Sequence, residues 1–149
     1  MNKKAFTLVE LLAVIAILAI LVIVAIPNIV KLFNDAKVST FKTEVQSIFK
    51  QAEVDFMMDH FGDAGPRYYC SGSRSGKNGT SKEECKNIKM TTNKDYYLEL
   101  DSNGRVTCIG VKDNSYVYSS TTARKITDII ENDIKDASTV NIDIESCSG

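Results

Sequence analysis

Residues 1–30 read MNKKAFTLVELLAVIAILAILVIVAIPNIV, and the fold follows from how this stretch is understood. Lys3 and Lys4 precede an apolar run from Ala5 to Ile26 whose one charge is Glu10. The twenty residues from Leu11 to Val30 carry no charge. As a helix rising about 1.5 Å per residue they cover roughly 30 Å, the thickness of a hydrocarbon core. A cleavable secretory signal ends in small residues two apart, yet Ala13, Ala16, Ala19 and Ala25 are never so spaced. A lipoprotein needs a cysteine at the end of the run, and the first cysteine is Cys70. The segment is therefore expected to stay with the mature chain, its N-terminus held cytoplasmic by the two lysines and the remainder sent outward.

Beyond this anchor about 119 of the 149 residues remain, enough for one small core and too few for a multidomain enzyme. The net charge is −1, which selects no partner by itself. Its distribution is uneven: residues 31–66 sum to −2, residues 67–94 to +5 and residues 95–149 to −5. Such polarity points to oriented contacts with neighbours.

Glu10 is costly if it lies deep in a bilayer, by about 2.5 to 3.5 kcal/mol, so something is expected to offset it. The residues around it, Lys3-Lys4-Ala5-Phe6-Thr7-Leu8-Val9-Glu10-Leu11-Leu12, resemble the class III signal of type IV pilins and pseudopilins. Pro27 falls where such pilins usually carry a proline. Ala5 stands where glycine is usual, as in related Gram-positive proteins. The resemblance covers about thirty residues. It implies cleavage by prepilin peptidase between Ala5 and Phe6, N-methylation of Phe6, and roles for Glu10 and Pro27 in subunit assembly. The implied partners are further copies, other pilins, the pilus assembly machinery and, before assembly, the membrane. The implied parts are a leader at 1–5, an apolar transmembrane and assembly helix at 6–30 and a globular head at 31–149.

The head is read from its own pattern. Apolar residues at Phe33, Ala36, Phe41, Val45, Ile48, Phe49, Ala52 and Phe56 predict that the helix continues amphipathically, to end near Phe61 before Gly62 and Gly65-Pro66. Pro27 removes an amide, so a kink or local unwinding is expected there. Tyr68 to Thr92 reads as a long irregular loop. Tyr96–Leu100 and Arg105–Val111 read as a hairpin turned at Asn103-Gly104, and Ser115–Ser119 as a third strand. Isoleucines at 126, 129, 130 and 134 predict a short helix over 122–137, and Val140, Ile142 and Ile144 a fourth strand. The expected fold class is α+β: a long N-terminal helix, part membrane-spanning, on a small antiparallel sheet with a short C-terminal helix and strand, as the pilin resemblance implies.

Four cysteines in an exported head allow three disulfide pairings. Cys70 with Cys85 and Cys108 with Cys147 are favoured, the second tying the tail to the sheet as terminal disulfides do in many pilins. A zinc site competes, but there is no C-x-x-C pair and His60 is the only histidine; free thiols are the third alternative. No catalytic constellation, cofactor motif or metal site is found. Asp55, Asp59 and Asp63 near His60 read as a solvated helix face rather than a cation site. Arg67, Arg74, Lys77, Lys82, Lys86, Lys89 and Lys94 are the candidate anion or DNA contacts, with Tyr68 and Tyr69 available to stack on bases. A solvated basic loop that meets an acidic neighbour is the preferred reading. The leading expectation is a structural subunit of an extracellular pilus, made as a single-pass membrane precursor. A competence pseudopilin for DNA uptake and a type II secretion pseudopilin are the alternatives.

Overall fold

A computed structural model of the chain describes residues 6–59, 67–71, 85–122 and 125–140. One helix, α1, runs Leu8–Asp59. The chain divides after Lys37 into two units, which rest on different physical grounds. In the first, every large apolar side chain from Phe6 to Phe33 is at least 48% exposed, so no described part of the chain covers it. By length and composition α1 is able to cross a membrane. Pro27 lies inside the helix. The unwinding expected there is absent, because the residues on both sides stay helical, and the amide missing at proline leaves only the Ile23 carbonyl without its usual donor.

The second unit is a head built around the remainder of α1. Phe41, Val45, Ile48, Phe49, Ala52 and Phe56 are buried, three or four residues apart, and form one helix face. That face packs on an antiparallel sheet of five strands in sequence order: β1 (Arg67–Cys70), β2 (Asp95–Leu100), β3 (Val106–Lys112), β4 (Tyr116–Ser120) and β5 (Lys135–Asp136). Tyr69, Tyr96, Leu98, Leu100, Val106, Val111 and Tyr118 join the helix residues in one core. Alternation sends Cys70, Tyr97 and Cys108 to a second cluster, packed with Tyr68 and Cys85.

Two expectations are corrected, and a third lies largely outside the described residues. The loop expected from Tyr68 contains β1, which pairs with β2 from Arg67↔Leu100 to Cys70↔Tyr97. The helix expected over 122–137 is instead two single 3-10 turns, Ile126–Asp128 and Glu131–Asp133, followed by β5. Only Ile129 of its four isoleucines is fully buried, so no helical stripe forms, and the Asp128 carboxylate accepts the Lys125 N–H at 2.9 Å in place of a helical bond. The strand expected at Val140, Ile142 and Ile144 falls mostly outside the described residues; Val140 itself packs beside Val117 without joining a strand.

Two polar devices fix the head. At the β2–β3 turn the Asp101 carboxylate accepts the N–H groups of Asn103 and Arg105 at 2.8 and 2.9 Å, and Gly104 takes φ +75°. A Cβ on Gly104 would lie 2.7 Å from Phe56 Cδ1, so the turn sits directly on the helix. The second device is Lys94, whose ammonium donates to Asp113 at 2.7 Å, pairs with Glu44 of α1 at 3.0 Å and stands 5.7 Å from the Phe41 ring centre. Burial opposes its charge, but the two carboxylates outweigh this and hold Lys94 above the ordinary lysine range. Burial likewise pulls Asp113 upward, yet Lys94 and the N–H groups of Tyr116 and Ser115 hold it below the ordinary carboxylate range.

Gly104→Ala should destabilise the head by at least about 1–2 kcal/mol, from the left-handed backbone alone, with the Phe56 clash added. An unchanged denaturant midpoint would contradict this packing. The Lys94 network also sets a pH dependence. A carboxyl whose pKa falls on folding stabilises above its unfolded value, near ~3.9, and loses that contribution as pH falls through the folded value. A lysine raised on folding contributes below its unfolded value and loses that contribution as pH rises past the folded one. Asp113→Asn should therefore be less stable at neutral pH and lose less stability on acidification below about pH 4 than the parent. Parallel acid limbs in the two proteins would show that Asp113 is not a source of acid sensitivity.

Candidate assembly segment and basic face

The first turn of α1 is built by Thr7 and Glu10. The Glu10 carboxylate accepts the Thr7 backbone N–H at 2.8 Å and its hydroxyl at 2.9 Å, while the Glu10 N–H donates to the Thr7 Oγ1 at 3.3 Å. This is a capping box, the reciprocal use of a threonine and a glutamate three residues apart to satisfy orphan amides at a helix start. Its signature, Thr7-Leu8-Val9-Glu10, is legible in the sequence as a threonine with a glutamate three residues on. The box places donors on Glu10 within the chain, which lowers the cost of taking the carboxylate out of water. Ala5 lies outside the described residues, Phe6 is exposed just ahead of the box, and Pro27 lies in the exposed unit.

In the head, the sequence-predicted basic cluster is partly spent on its own chain. Lys86 and Lys89 reach Asp59 near the end of α1 at 3.4 and 3.2 Å. The hydrogen bond from Lys89 holds the Asp59 carboxyl below its ordinary range, assisted by the two positive charges against a burial penalty. Asp55, 1% exposed, accepts the Lys89 backbone N–H and the Gln51 amide, the latter at 2.9 Å. This pins residues 87–89 to the helix, with Ile88 donating its N–H to the Tyr96 hydroxyl at 3.1 Å. Asp55 and Asp59 are thus anchors rather than members of a solvated acidic face, and the described residues contain no cluster able to hold a metal. His60 and Asp63 lie outside them.

Arg74, Lys77 and Lys82 and the Arg67 side chain also fall outside the described part. Of the tyrosines considered for base stacking, Tyr69 is 1% exposed and belongs to the core. Tyr68 is half-buried and packs on Tyr97, ring centres 6.4 Å apart. Cys70 and Cys85 are joined by a disulfide, their Cα atoms 5.7 Å apart. Beside it the Cys70 N–H donates to Lys86 O and the Lys86 N–H to Tyr68 O, both at 2.9 Å. The two cysteines lie fifteen positions apart, and closing such a loop is worth about 3 kcal/mol in the chain-entropy description. Cys108 is disulfide-bonded as well; Cys147, its expected partner, lies outside the described residues.

Residues 1–26 match the family model described as the prokaryotic N-terminal methylation motif. No curated protein and no solved structure matches the chain. The motif implies processing by prepilin peptidase and assembly with other pilins, and it points to a structural subunit rather than an enzyme. Together with the apolar helix, it fits a membrane-anchored precursor. Carried on a long apolar helix whose far end packs on a small antiparallel sheet, this class III signal supports a type IV pilin or pseudopilin.

Proposed function

We propose that the protein is a structural subunit of an extracellular type IV pilus, released from the membrane into a filament through its N-terminal helix. The observation that carries this reading is the exposed apolar unit from Phe6 to Phe33, directly behind the methylation motif. Lipid covers such a surface before assembly and other subunits cover it afterwards. Cleavage before Phe6 creates an amine one residue from the capping box, and Glu10 is the one carboxylate of the apolar run available to pair with a neighbour's amine. A DNA-uptake role is less well supported, since Lys86, Lys89 and Lys94 already pair with Asp59, Glu44 and Asp113.

Intact-mass and N-terminal analysis of protein from cells should find a chain starting at Phe6 and carrying a methyl group; a chain starting at Met1 or beyond Ile26 would sink the reading. Glu10→Ala should still enter the membrane while the yield of sheared filament collapses. Because Thr7 retains its own hydroxyl as a cap, helix content measured in detergent should change little. Filament at parental yield from this variant would remove Glu10 from assembly.

A further inference from the structure

The β2–β3 turn carries a reactive pair of residues. Asn103 is exposed and is followed by Gly104, which has no side chain to shield its nitrogen from an approaching group. Once deprotonated, a glycine nitrogen attacks the Cγ of a preceding asparagine. The new N–Cγ bond closes a succinimide ring, the Cγ–Nδ2 bond breaks, and the proton lost by glycine returns through solvent to the departing ammonia. Water then opens the ring at one of its two carbonyls, leaving aspartate or, with the main chain rerouted through Cβ, isoaspartate. One water enters and one ammonia leaves, with no oxidant or reductant involved.

In this fold the attacking nitrogen is held. The Gly104 N–H donates to the Asp101 carbonyl at 2.9 Å, and the Asp101 N–H closes the turn on the Arg105 carbonyl at the same distance. On either side of Gly104, the N–H groups of Asn103 and Arg105 donate to the Asp101 carboxylate at 2.8 and 2.9 Å. The bond from Arg105 above all, with help from Asn103 and against a desolvation penalty, holds the Asp101 carboxyl below the ordinary carboxylate range. A fixed negative charge beside Gly104 opposes formation of an amide anion there. We propose that Asn103 is a deamidation site on which Asp101 acts as a brake: the reaction runs through opening of the turn, and a turn converted to isoaspartate does not close again. Isoaspartate inserts an extra main-chain carbon between the two N–H groups that Asp101 holds. Gly104, at φ +75° and directly against Phe56, has no room to absorb it. The lesion therefore loosens the seat of the sheet on α1. This inference stands on the head alone and is independent of the pilin reading.

The test ages the full chain in detergent at mildly alkaline pH, folded in one sample and unfolded by guanidinium chloride in another. Trypsin releases the peptide from Asp95 to Arg105, and its mass and isoaspartate content report Asn103; the other Asn-Gly pair, Asn78-Gly79, falls on a different peptide. Deamidation at Asn103 should be slower in the folded chain by roughly tenfold or more, as charge-assisted bonds around the attacking nitrogen require. Equal rates in the two samples, or no deamidation at Asn103 in either, overturn the proposal. Asp101→Ala should raise the folded rate by roughly tenfold, and a rate equal to the parent's removes Asp101 as the brake. If that variant does not fold, Asp101→Asn takes its place; it keeps the acceptor, loses the charge and must still react faster than the parent. Aged isoaspartate material should unfold at lower denaturant than the parent. Asn103→Asp, with the same added charge on an unaltered backbone, should stay near the parental midpoint. Isoaspartate material that keeps the parental midpoint contradicts the claim that the lengthened turn fails to close.

Discussion

Nineteen large apolar side chains between Phe6 and Phe33 are left uncovered by the described chain, and the remaining structure has to be read around that debt of burial. At about 1.5–3 kcal/mol for each side chain fully removed from water, even half-covering them amounts to tens of kcal/mol, more than the 5–15 kcal/mol by which a typical domain is stable. Among the described residues nothing covers this surface. A membrane-anchored precursor would place lipid against it, and the class III signal implies assembly with other pilins. Near its start stands a carboxylate that the chain itself has furnished with two donors from Thr7.

The head, by contrast, covers its apolar face with its own chain. The face from Phe41 to Phe56 covers one side of the sheet, and polar contacts fix the depth and angle of that packing. Lys94 ties α1 through Glu44 to the β3–β4 turn through Asp113. Asp55 holds the segment before β2 by the backbone of Lys89, and Gly104 lets the β2–β3 turn lie on Phe56. On the other side, the Cys70–Cys85 disulfide lies among Tyr68, Tyr97 and Cys108, where a thin sheet has little else to bury.

Legibility in the sequence followed the range of the forces. The helix face was readable because Phe41, Val45, Ile48, Ala52 and Phe56 recur at helical spacing, and the β2–β3 hairpin because Gly104 marks its turn. β1 was not readable: Arg67-Tyr68-Tyr69-Cys70 is four residues long, and its partner begins only at Asp95. The isoleucine spacing near the C-terminus imitated a helix because periodicity does not reveal which members are buried, and Ile126 and Ile130 are not. Charge counting found the basic cluster but not its answer. Asp59 lies 27 and 30 residues from Lys86 and Lys89, and only the fold brings them together. Near the helix start, Glu10 is legible as an anomaly, and the Thr7-x-x-Glu10 spacing carries the cap that accounts for it.

Side-chain footprinting of phenylalanines by hydroxyl radicals, in sheared filaments free of lipid and detergent, tests most directly that other subunits take over the surface this chain leaves open. The residues compared share one intrinsic reactivity: Phe33, 63% exposed in the single chain, against Phe41 and Phe49, at 2% and 1% in the head core. Burial by neighbours requires Phe33 to be modified as slowly as Phe41 and Phe49. Modification of Phe33 many times faster than Phe49 in intact filaments would contradict it.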